Sequence, residues 1–205
     1  MNNKISNKGS LIVVSGPSGV GKGTICGKLI EKYDNVKVSV SATSRSPRVG
    51  ETDGVSYFFK TRDEFVSMIN SGELIEYNEY NGNFYGTPKA YVEEQLKLGY
   101  DVILEIDVNG AMNVKKVYPE AVLVFIAPPT METIRERLIG RGTENIETIE
   151  QRIEIAKKEI LIAPQYDYIV INNDLDMAIK DVVMLIDAAR LRVCNNKEFI
   201  ENLLK

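Results

Sequence analysis

The sequence predicts an α/β protein in which a parallel, doubly wound sheet is flanked by helices and carries a β-rich insertion and a small helical lid. Short apolar, β-branched runs alternate with stretches of helical periodicity, and a glycine-rich loop joins the first run to the first helix. Residues 41–87 break this alternation with short β-prone runs and turn residues. We therefore expect a core of residues 1–40, 88–134 and 160–205, an insertion over 41–87 and a lid over 135–159.

The strands of the core are predicted where apolar residues follow one another without a polar break, because strands of a parallel sheet are buried on both faces. These runs cover residues 11–15, 101–106, 121–126 and 168–171, and residues 36–40 alternate like a further strand. Helices are predicted where apolar residues recur every three or four positions. They lie directly after the glycine-rich loop, at about 62–70, 88–99, 130–139 and 146–160, and after Asp174, which is a suitable N-cap.

The insertion contains a predicted hairpin. Residues 74–80 and 83–86 are β-prone and flank the dipeptide Asn81-Gly82. Asn-Gly is favoured in two-residue hairpin turns because both positions there need a positive φ. We therefore expect two paired strands in the second half of the insertion.

Composition narrows the class of function. The chain has 205 residues and a net charge of −4, so it offers no bulk positive field for nucleic acid. It has no apolar run of roughly twenty residues, as a membrane span would need, and no signal-peptide pattern at its start. Cys26 and Cys194 lack metal-ligand spacing and are interpreted as reduced thiols, so the expected compartment is the cytoplasm.

The glycine-rich loop has the pattern of a phosphate loop (P-loop). It reads Gly-Pro-Ser-Gly-Val-Gly-Lys and lies between the first predicted strand and the first helix. Glycines let backbone amides cradle phosphate oxygens, the helix N-terminus favours anions, and the lysine adds a mobile positive charge. The alternative is an ordinary glycine-rich turn. The residues predicted to bind ATP phosphates here are Gly16, Pro17, Ser18, Gly19, Val20, Gly21, Lys22, Gly23 and Thr24.

The loop departs from the usual motif after its lysine. Gly23 stands where a Ser or Thr hydroxyl commonly binds Mg²⁺, and Thr24 follows one place later. This Gly-Lys-Gly-Thr ending resembles nucleoside monophosphate kinases and leaves the direct Mg²⁺ ligand open. Glu105, at the end of a predicted strand, is a candidate for ordering metal-bound water, although a buried strand can also end in an acid without such a role.

A second group of motifs lies in the insertion and beyond it. Arg45 and Arg48 are three apart in a loop, which suits bidentate phosphate capture but also describes a solvated basic loop. They belong to the block Ser-x-x-x-Arg-x-x-Arg-x-Gly-Glu that begins at Ser41. Tyr-Gly-Thr at 85–87, Ile-Asp-Val-Asn-Gly at 106–110 and Gly-Arg-Gly-Thr-Glu at 140–144 follow in order. In this set and order of motifs the chain resembles the guanylate kinase family over nearly its whole length.

The resemblance implies roles for the matching residues. Arg45, Arg48, Tyr57 and Tyr85 would hold the acceptor phosphate. Glu76 and Asp107 would accept hydrogen bonds from guanine N1–H and from its exocyclic amine, while Ser41 and Thr87 would donate to the base oxygen. Related proteins often carry Ser at the position of Thr87.

The chemistry of guanine supports the two carboxylates independently. Guanine presents donors at N1 and at its amine, whereas adenine would leave two buried carboxylates unpaired, and such sites discriminate strongly. The competing interpretations are an exposed hairpin acid for Glu76 and a helix N-cap for Asp107.

Arginines near the predicted lid complete the candidate site. Arg137 and Arg141 are four apart and share a helix face, from which Arg135 points away, and Arg152 lies on the next helix. The resemblance implies that Arg137, Arg141 and Arg152 close over the phosphates, and the alternative is a set of surface ion pairs of little energetic weight. Arg135 is interpreted as a surface residue. Asn172, after the last strand, is a candidate contact for adenine.

The expected reaction is transfer of the γ-phosphoryl group of Mg-ATP to GMP, and also to dGMP. An anionic phosphate oxygen is the nucleophile, so no general base is required, and the sequence contains no histidine. Two alternatives stay open: a kinase for another mononucleotide such as AMP, and a non-catalytic guanylate-kinase-like binding module. The expected partners are ATP and GMP, without nucleic acid or membrane, and the oligomeric state is not predicted.

Overall fold

The computed structural model describes residues 8–80, 82–140 and 145–205. It confirms the predicted α/β class, with a parallel five-stranded sheet flanked by helices and a separate four-stranded sheet. Among the helices described in these ranges, none is long and apolar enough to cross a membrane.

All strands of the core sheet run in the same direction, so their carboxyl ends share one edge of the sheet. Its strands are β1 (Leu11–Ser15), β2 (Val36–Val38), β7 (Asp101–Glu105), β8 (Val122–Ala127) and β9 (Tyr168–Ile171). They lie in the order β2-β7-β1-β8-β9, and all neighbours are parallel. Strand β7 lies on one side of β1 and β8 lies on the other, so the strand order reverses at β1. Ligands of open α/β sheets bind at the carboxyl edge beside such a reversal.

Three strand boundaries differ from the prediction. The strand predicted over 36–40 ends at Val38, because the chain then leaves the sheet toward the insertion after one more hydrogen bond, from Ser39 N–H to Ile103. The strand predicted over 101–106 ends at Glu105. The next one begins at Val122, since the Ala121 N–H closes a turn onto Tyr118.

Eight α-helices lie within the described residues, and four of them cover the two faces of this sheet. The eight are α1 (Lys22–Lys32), α2 (Arg62–Asn70), α3 (Lys89–Lys97), α4 (Val108–Val117), α5 (Met131–Gly140), α6 (Ile146–Ile160), α7 (Leu175–Arg190) and α8 (Lys197–Leu203). One core cluster joins the sheet to α1 and α7, and a second joins it to α3 and α4. Helices α5 and α6 share a smaller apolar cluster of their own. The sequence did not predict α4 or α8. Helix α4 contains Gly110, a poor helix former, in its first turn, and α8 has only seven residues.

The insertion forms the second sheet. Its strands are β3 (Ala42–Thr43), β4 (Phe58–Phe59), β5 (Leu74–Tyr80) and β6 (Asn83–Pro88), in the order β4-β3-β6-β5. The predicted hairpin is confirmed as β5 and β6, which pair antiparallel. Gly82 has φ 73°, as this turn requires, and Asn81 lies outside the described residues.

A buried ion pair fastens the edge of the core sheet opposite the phosphate loop. Asp101 begins β7 and is fully buried, and it accepts hydrogen bonds from the Ser10 N–H (2.9 Å) and Arg190 Nε (2.6 Å). Arg190 also contacts it through Nη2, and Asn35 lies at 3.4 Å. The contact ties the end of α7 to the start of β7 and to the residue that precedes β1.

Candidate active site

The predicted phosphate loop connects β1 to α1. Helix α1 begins at Lys22, and its N-cap, Gly21, has a left-handed backbone and makes no side-chain cap. The first amides of a helix have no partner within the helix, so an uncapped N-terminus is suited to bind an anion. The residues from Gly16 to Thr24 therefore lie where the carboxyl edge of the sheet meets a free helix N-terminus.

The loop rests on a close contact with the residue that follows β9. Gly21 has φ 99°, and a Cβ atom there would lie 2.6 Å from Nδ2 of Asn172. Asn172 is 5% exposed, and its Nδ2 donates to the Val20 carbonyl at 2.8 Å. Asn172 thus supports the loop from beneath, and its contact with adenine stays a prediction.

Lys22 points into the loop that it terminates. Its Nζ donates to the carbonyl oxygens of Gly16 (2.6 Å) and Pro17 (3.2 Å). Burial lowers the pKa of Lys22, and the nearby carboxylate of Glu105 opposes that change. The ammonium group is therefore held by neutral carbonyls beside a carboxylate, where it can turn toward a bound phosphate.

Glu105 ends β7 directly beside the loop. Its Oε1 lies 3.3 Å from the position that a Cβ on Gly23 would occupy, so the glycine leaves room for this carboxylate. Desolvation raises the pKa of Glu105, while Lys22 lowers it. Within the described ranges no group of three or more His, Cys, Asp or Glu side chains could hold a metal ion.

The predicted acceptor residues converge on one cavity between the two sheets. Its volume is about 160 Å³. The lining includes Ser41, Tyr57, Glu76, Tyr85, Glu105 and Asp107. Five of the eight residues predicted to bind the acceptor nucleotide thus line one cavity. Glu105, which was predicted to order metal-bound water, lines the same cavity at the carboxyl edge of the core sheet.

Glu76 is buried in this cavity rather than exposed on the hairpin. It is 7% exposed, and its Oε1 accepts a 2.6 Å hydrogen bond from the Thr87 hydroxyl. A Cβ on Gly110 would lie 2.9 Å from Oε2, so the glycine in the first turn of α4 allows this close approach. Burial raises the pKa of Glu76, the Thr87 hydrogen bond lowers it and Asp107 raises it, and the net result is a pKa of about 7.

Asp107 combines the two interpretations considered for it. It is the N-cap of α4, where Oδ1 accepts from the Gly110 N–H at 2.8 Å. Oδ2 accepts from Nδ2 of Asn78 at 2.9 Å, and the same side chain lines the cavity. Capping therefore holds one oxygen of the carboxylate and leaves the side chain in the site.

Arg45 is held beside the two tyrosines. Glu51 binds it bidentately, at 2.9 Å to Nη1 and 2.8 Å to Nη2, and this contact lowers the pKa of Glu51 to about 2. The guanidinium carbon lies 5.4 Å from the ring centroid of Tyr57, which meets the ring of Tyr85 edge-on at 6.1 Å. Arg48 is exposed, and its backbone N–H donates to Oε2 of Glu51 at 2.7 Å.

Of the predicted lid arginines, Arg137 contacts the phosphate loop directly. Its Nη1 donates to the Val20 carbonyl at 3.1 Å and its Nη2 to the Asn172 carbonyl at 2.9 Å. Arg152 lies on α6, and Arg141 lies outside the described residues. Arg135 pairs with Glu132 and Glu150 on the surface, in agreement with its interpretation as a surface residue.

Three side chains of the site were not assigned a role from the sequence. Glu51 binds Arg45, Asn78 binds Asp107, and Glu159 of α6 lies near Lys22, where burial raises the pKa of its carboxyl group. Strand periodicity could have indicated Asn78, because it lies two residues after Glu76 and therefore on the same face. The contacts of Glu51 and Glu159 depend on loop and helix packing that no local pattern specifies.

A phosphate loop at the carboxyl edge of a parallel sheet, facing a cavity with paired carboxylates and a tethered arginine, defines a nucleotide phosphotransferase of the nucleoside monophosphate kinase class. The family model described as guanylate kinase matches residues 8–189. The chain therefore belongs to the guanylate kinase family.

Individual relatives agree with this assignment. A guanylate kinase of Shouchella clausii is 47% identical over 198 residues, which cover 95% of this chain and 97% of the relative. A guanylate kinase of Lactococcus lactis is 50% identical over 186 residues, covering 91% of each chain. The crystal structure of guanylate kinase from Anaplasma phagocytophilum superposes with a TM-score of 0.75 at 34% identity, covering 93% of this chain and 90% of that one.

Proposed function

We propose that this chain transfers the γ-phosphoryl group of ATP to GMP, and also to dGMP, giving ADP and the guanine nucleoside diphosphate. The observation that carries the proposal is the pairing of Glu76 and Asp107 in one cavity beside the phosphate loop. Guanine presents N–H donors at N1 and at its exocyclic amine, and two carboxylates are the matching acceptors. Adenine has neither group, so its binding would leave both carboxylates unpaired.

The acceptor phosphate belongs with the basic and aromatic groups on the insertion. Arg45 is aligned by Glu51 and lies against Tyr57, whose ring meets that of Tyr85. A guanidinium held in a fixed plane is suited to bidentate phosphate binding. We assign Arg45, Arg48 and the two tyrosine hydroxyls to this phosphate, and Ser41 to the base oxygen. Thr87 donates its one hydroxyl proton to Glu76 and so supports the carboxylate that faces the base.

The donor phosphates belong at the N-terminus of α1. The loop amides and Lys22 bind the β- and γ-phosphates, and Arg137 approaches from α5. Arg141 and Arg152 are assigned to the same phosphates. The acceptor phosphate oxygen is already anionic, so these residues act by aligning the two nucleotides and neutralising the charge of the transferring group.

The residues present fit a magnesium ion that is held mainly by the nucleotide. Glu105 is a single carboxylate beside the loop, and Gly23 brings no hydroxyl. Mg²⁺ usually keeps several waters and binds through one or two carboxylates and substrate phosphates. Glu105 would hold one of those waters, and the ion would neutralise charge on the phosphate oxygens. We place the reaction in the cytoplasm, in purine nucleotide metabolism, in keeping with the two free cysteines.

A coupled assay of ADP release with Mg-ATP tests this proposal, with GMP, dGMP, AMP, CMP and UMP as acceptors. We expect turnover only with the two guanine nucleotides. Turnover with another base would contradict the proposed base-recognition site but would still agree with a nucleoside monophosphate kinase. No turnover with any acceptor, in protein that binds ATP, would favour a non-catalytic binding module.

A further inference from the structure

The amide of Asn78 joins the insertion to the core inside the acceptor cavity. Its Nδ2 donates to Oδ2 of Asp107 at 2.9 Å, from β5 to the N-cap of α4. Asn78 follows Glu76 by two residues, so strand geometry puts both side chains on the face of β5 that packs against α4. Both residues line the cavity.

Asn78 supplies the second of two restraints on the Asp107 carboxylate. Oδ1 is held at 2.8 Å by the Gly110 N–H within the helix cap. That bond alone leaves the carboxylate plane free to rotate, whereas a donor on Oδ2 from another element fixes it. A carboxylate oxygen has more than one lone-pair site, so Oδ2 can accept from Asn78 and from a ligand at the same time.

The second carboxylate of the cavity cannot satisfy the whole donor edge of guanine. N1–H and the exocyclic amine together present three N–H groups. Glu76 has two oxygens, of which Oε1 also accepts from the Thr87 hydroxyl. In one plane these oxygens can face N1–H and the amine proton next to it, because the second amine proton points toward N3. That second proton is therefore left for Asp107.

We propose that Asn78 is a specificity-determining residue that positions Asp107 to accept a hydrogen bond from the exocyclic amine of the acceptor base. The inference rests on the proposed guanine-nucleotide acceptor and deepens it. Asn78 acts through Asp107, so it is a positioning residue. Its loss should reduce discrimination in favour of a 2-amino purine and leave the phosphoryl-transfer step intact.

Inosine monophosphate (IMP) isolates this contact because it differs from GMP only in lacking the amine. Dissociation constants for GMP and IMP should be measured by titration calorimetry on the full chain, together with kcat for GMP. In Asn78→Ala we expect GMP to bind about tenfold more weakly, which corresponds to the loss of one well-placed hydrogen bond. The dissociation constant of IMP and the value of kcat should stay within about twofold of the wild type, so the GMP/IMP preference falls about tenfold.

Two further variants make the test specific. Asn78→Asp keeps the size of the side chain but replaces the amide donor with a carboxylate, which repels Asp107. The fall in the GMP/IMP preference should be at least as large as in Asn78→Ala. Asn113→Ala removes the same kind of side chain from α4 at a position where it accepts from Lys116, and it should leave both affinities unchanged.

Equal weakening of GMP and IMP in the Asn78 variants would overturn the inference, since it would indicate a general effect on the pocket. Unchanged affinities in both variants would overturn it as well. A wild-type protein that neither binds nor phosphorylates GMP would instead refute the proposed function on which the inference rests. That outcome is visible before any variant is made.

Discussion

The hydroxyl of Thr87 donates a 2.6 Å hydrogen bond to Glu76 across the hairpin of β5 and β6. This contact is the stabilising interaction of an otherwise desolvated carboxylate, because burial and Asp107 both raise the pKa of Glu76, to about 7. Thr87 favours the ionised form, which is the form that can accept hydrogen bonds from guanine.

Replacing Thr87 by Val should therefore weaken GMP binding in a pH-dependent way. Without the hydroxyl the pKa of Glu76 rises further, so less of the carboxylate is ionised at pH 7. We expect about tenfold weaker GMP binding at pH 7 and partial recovery by pH 9, measured as dissociation constants from pH 6 to 9. Thr87→Ser keeps the hydroxyl and should follow the wild-type profile. A Thr87→Val profile that coincides with the wild type would contradict this role.

The same carboxylate should cost the unliganded protein stability above neutral pH. A carboxyl group whose pKa is raised on folding from 4.5 to about 7 carries no penalty below 4.5, where it is protonated in both states. The penalty grows between these values and is complete above pH 7. Glu76→Gln should therefore be more stable than the wild type by about 1–3 kcal/mol at pH 8, and the difference should vanish near pH 4.5.

Urea unfolding at several pH values, without nucleotide, measures this difference. Glu94→Gln on the exposed side of α3 is the control and should leave the free energy of unfolding unchanged at each pH. A Glu76→Gln variant that is less stable than the wild type at pH 8 would contradict a net cost of burying this carboxylate.

The sequence predicted the core sheet, the hairpin and the phosphate loop because each has a local signature. The apolar run of β1, the Asn-Gly turn and the glycine spacing need no tertiary information. Contacts between distant segments could not be predicted in this way. Asn172 beneath Gly21 and Asn78 on Asp107 join elements far apart in the chain, and only the packing of β9 and of β5 brings them to the site.

Arg137 should be required for turnover, whereas Arg135 two residues earlier should not. Arg137 reaches the Val20 and Asn172 carbonyls at the phosphate loop, while Arg135 pairs with Glu150 on the surface. Removing a preorganised positive charge from a transferring phosphoryl group costs about 10²-fold in kcat or more. We expect this loss for Arg137→Ala, and a change within about twofold for Arg135→Ala, in steady-state assays with GMP. Comparable kcat values for the two variants would contradict the assignment of Arg137 to the phosphates.

Nucleotides should draw the insertion and the predicted lid over 135–159 toward each other, because an exposed γ-phosphate would otherwise react with water. Val55 and Ile139 are exposed residues of the insertion and of α5, and Cys substitutions there can carry spin labels. Cys194→Ser removes the more accessible native thiol, since Cys26 is buried. The distance between these two labels should shorten with GMP and a non-hydrolysable ATP analogue. The distance between labels at Val117 and Leu191, two exposed residues outside the insertion and the predicted lid, should not change. An unchanged distance between insertion and lid would contradict closure.

The buried Asp101–Arg190 pair should stabilise the fold without affecting the chemistry. Asp101 is fully buried at the edge of the sheet opposite the phosphate loop, and it also accepts from the Ser10 N–H. Asp101→Ala would leave that buried amide and the half-buried Arg190 guanidinium without their acceptor, and leaving a buried donor unpaired costs about 1–3 kcal/mol. Unfolding in urea should show this loss, whereas kcat with GMP at a temperature where the variant is folded should be unchanged. Glu31→Gln breaks the exposed pair with Lys28 and should cost less than about 0.5 kcal/mol. Equal small losses in the two variants would mean that the fold does not depend on the buried pair.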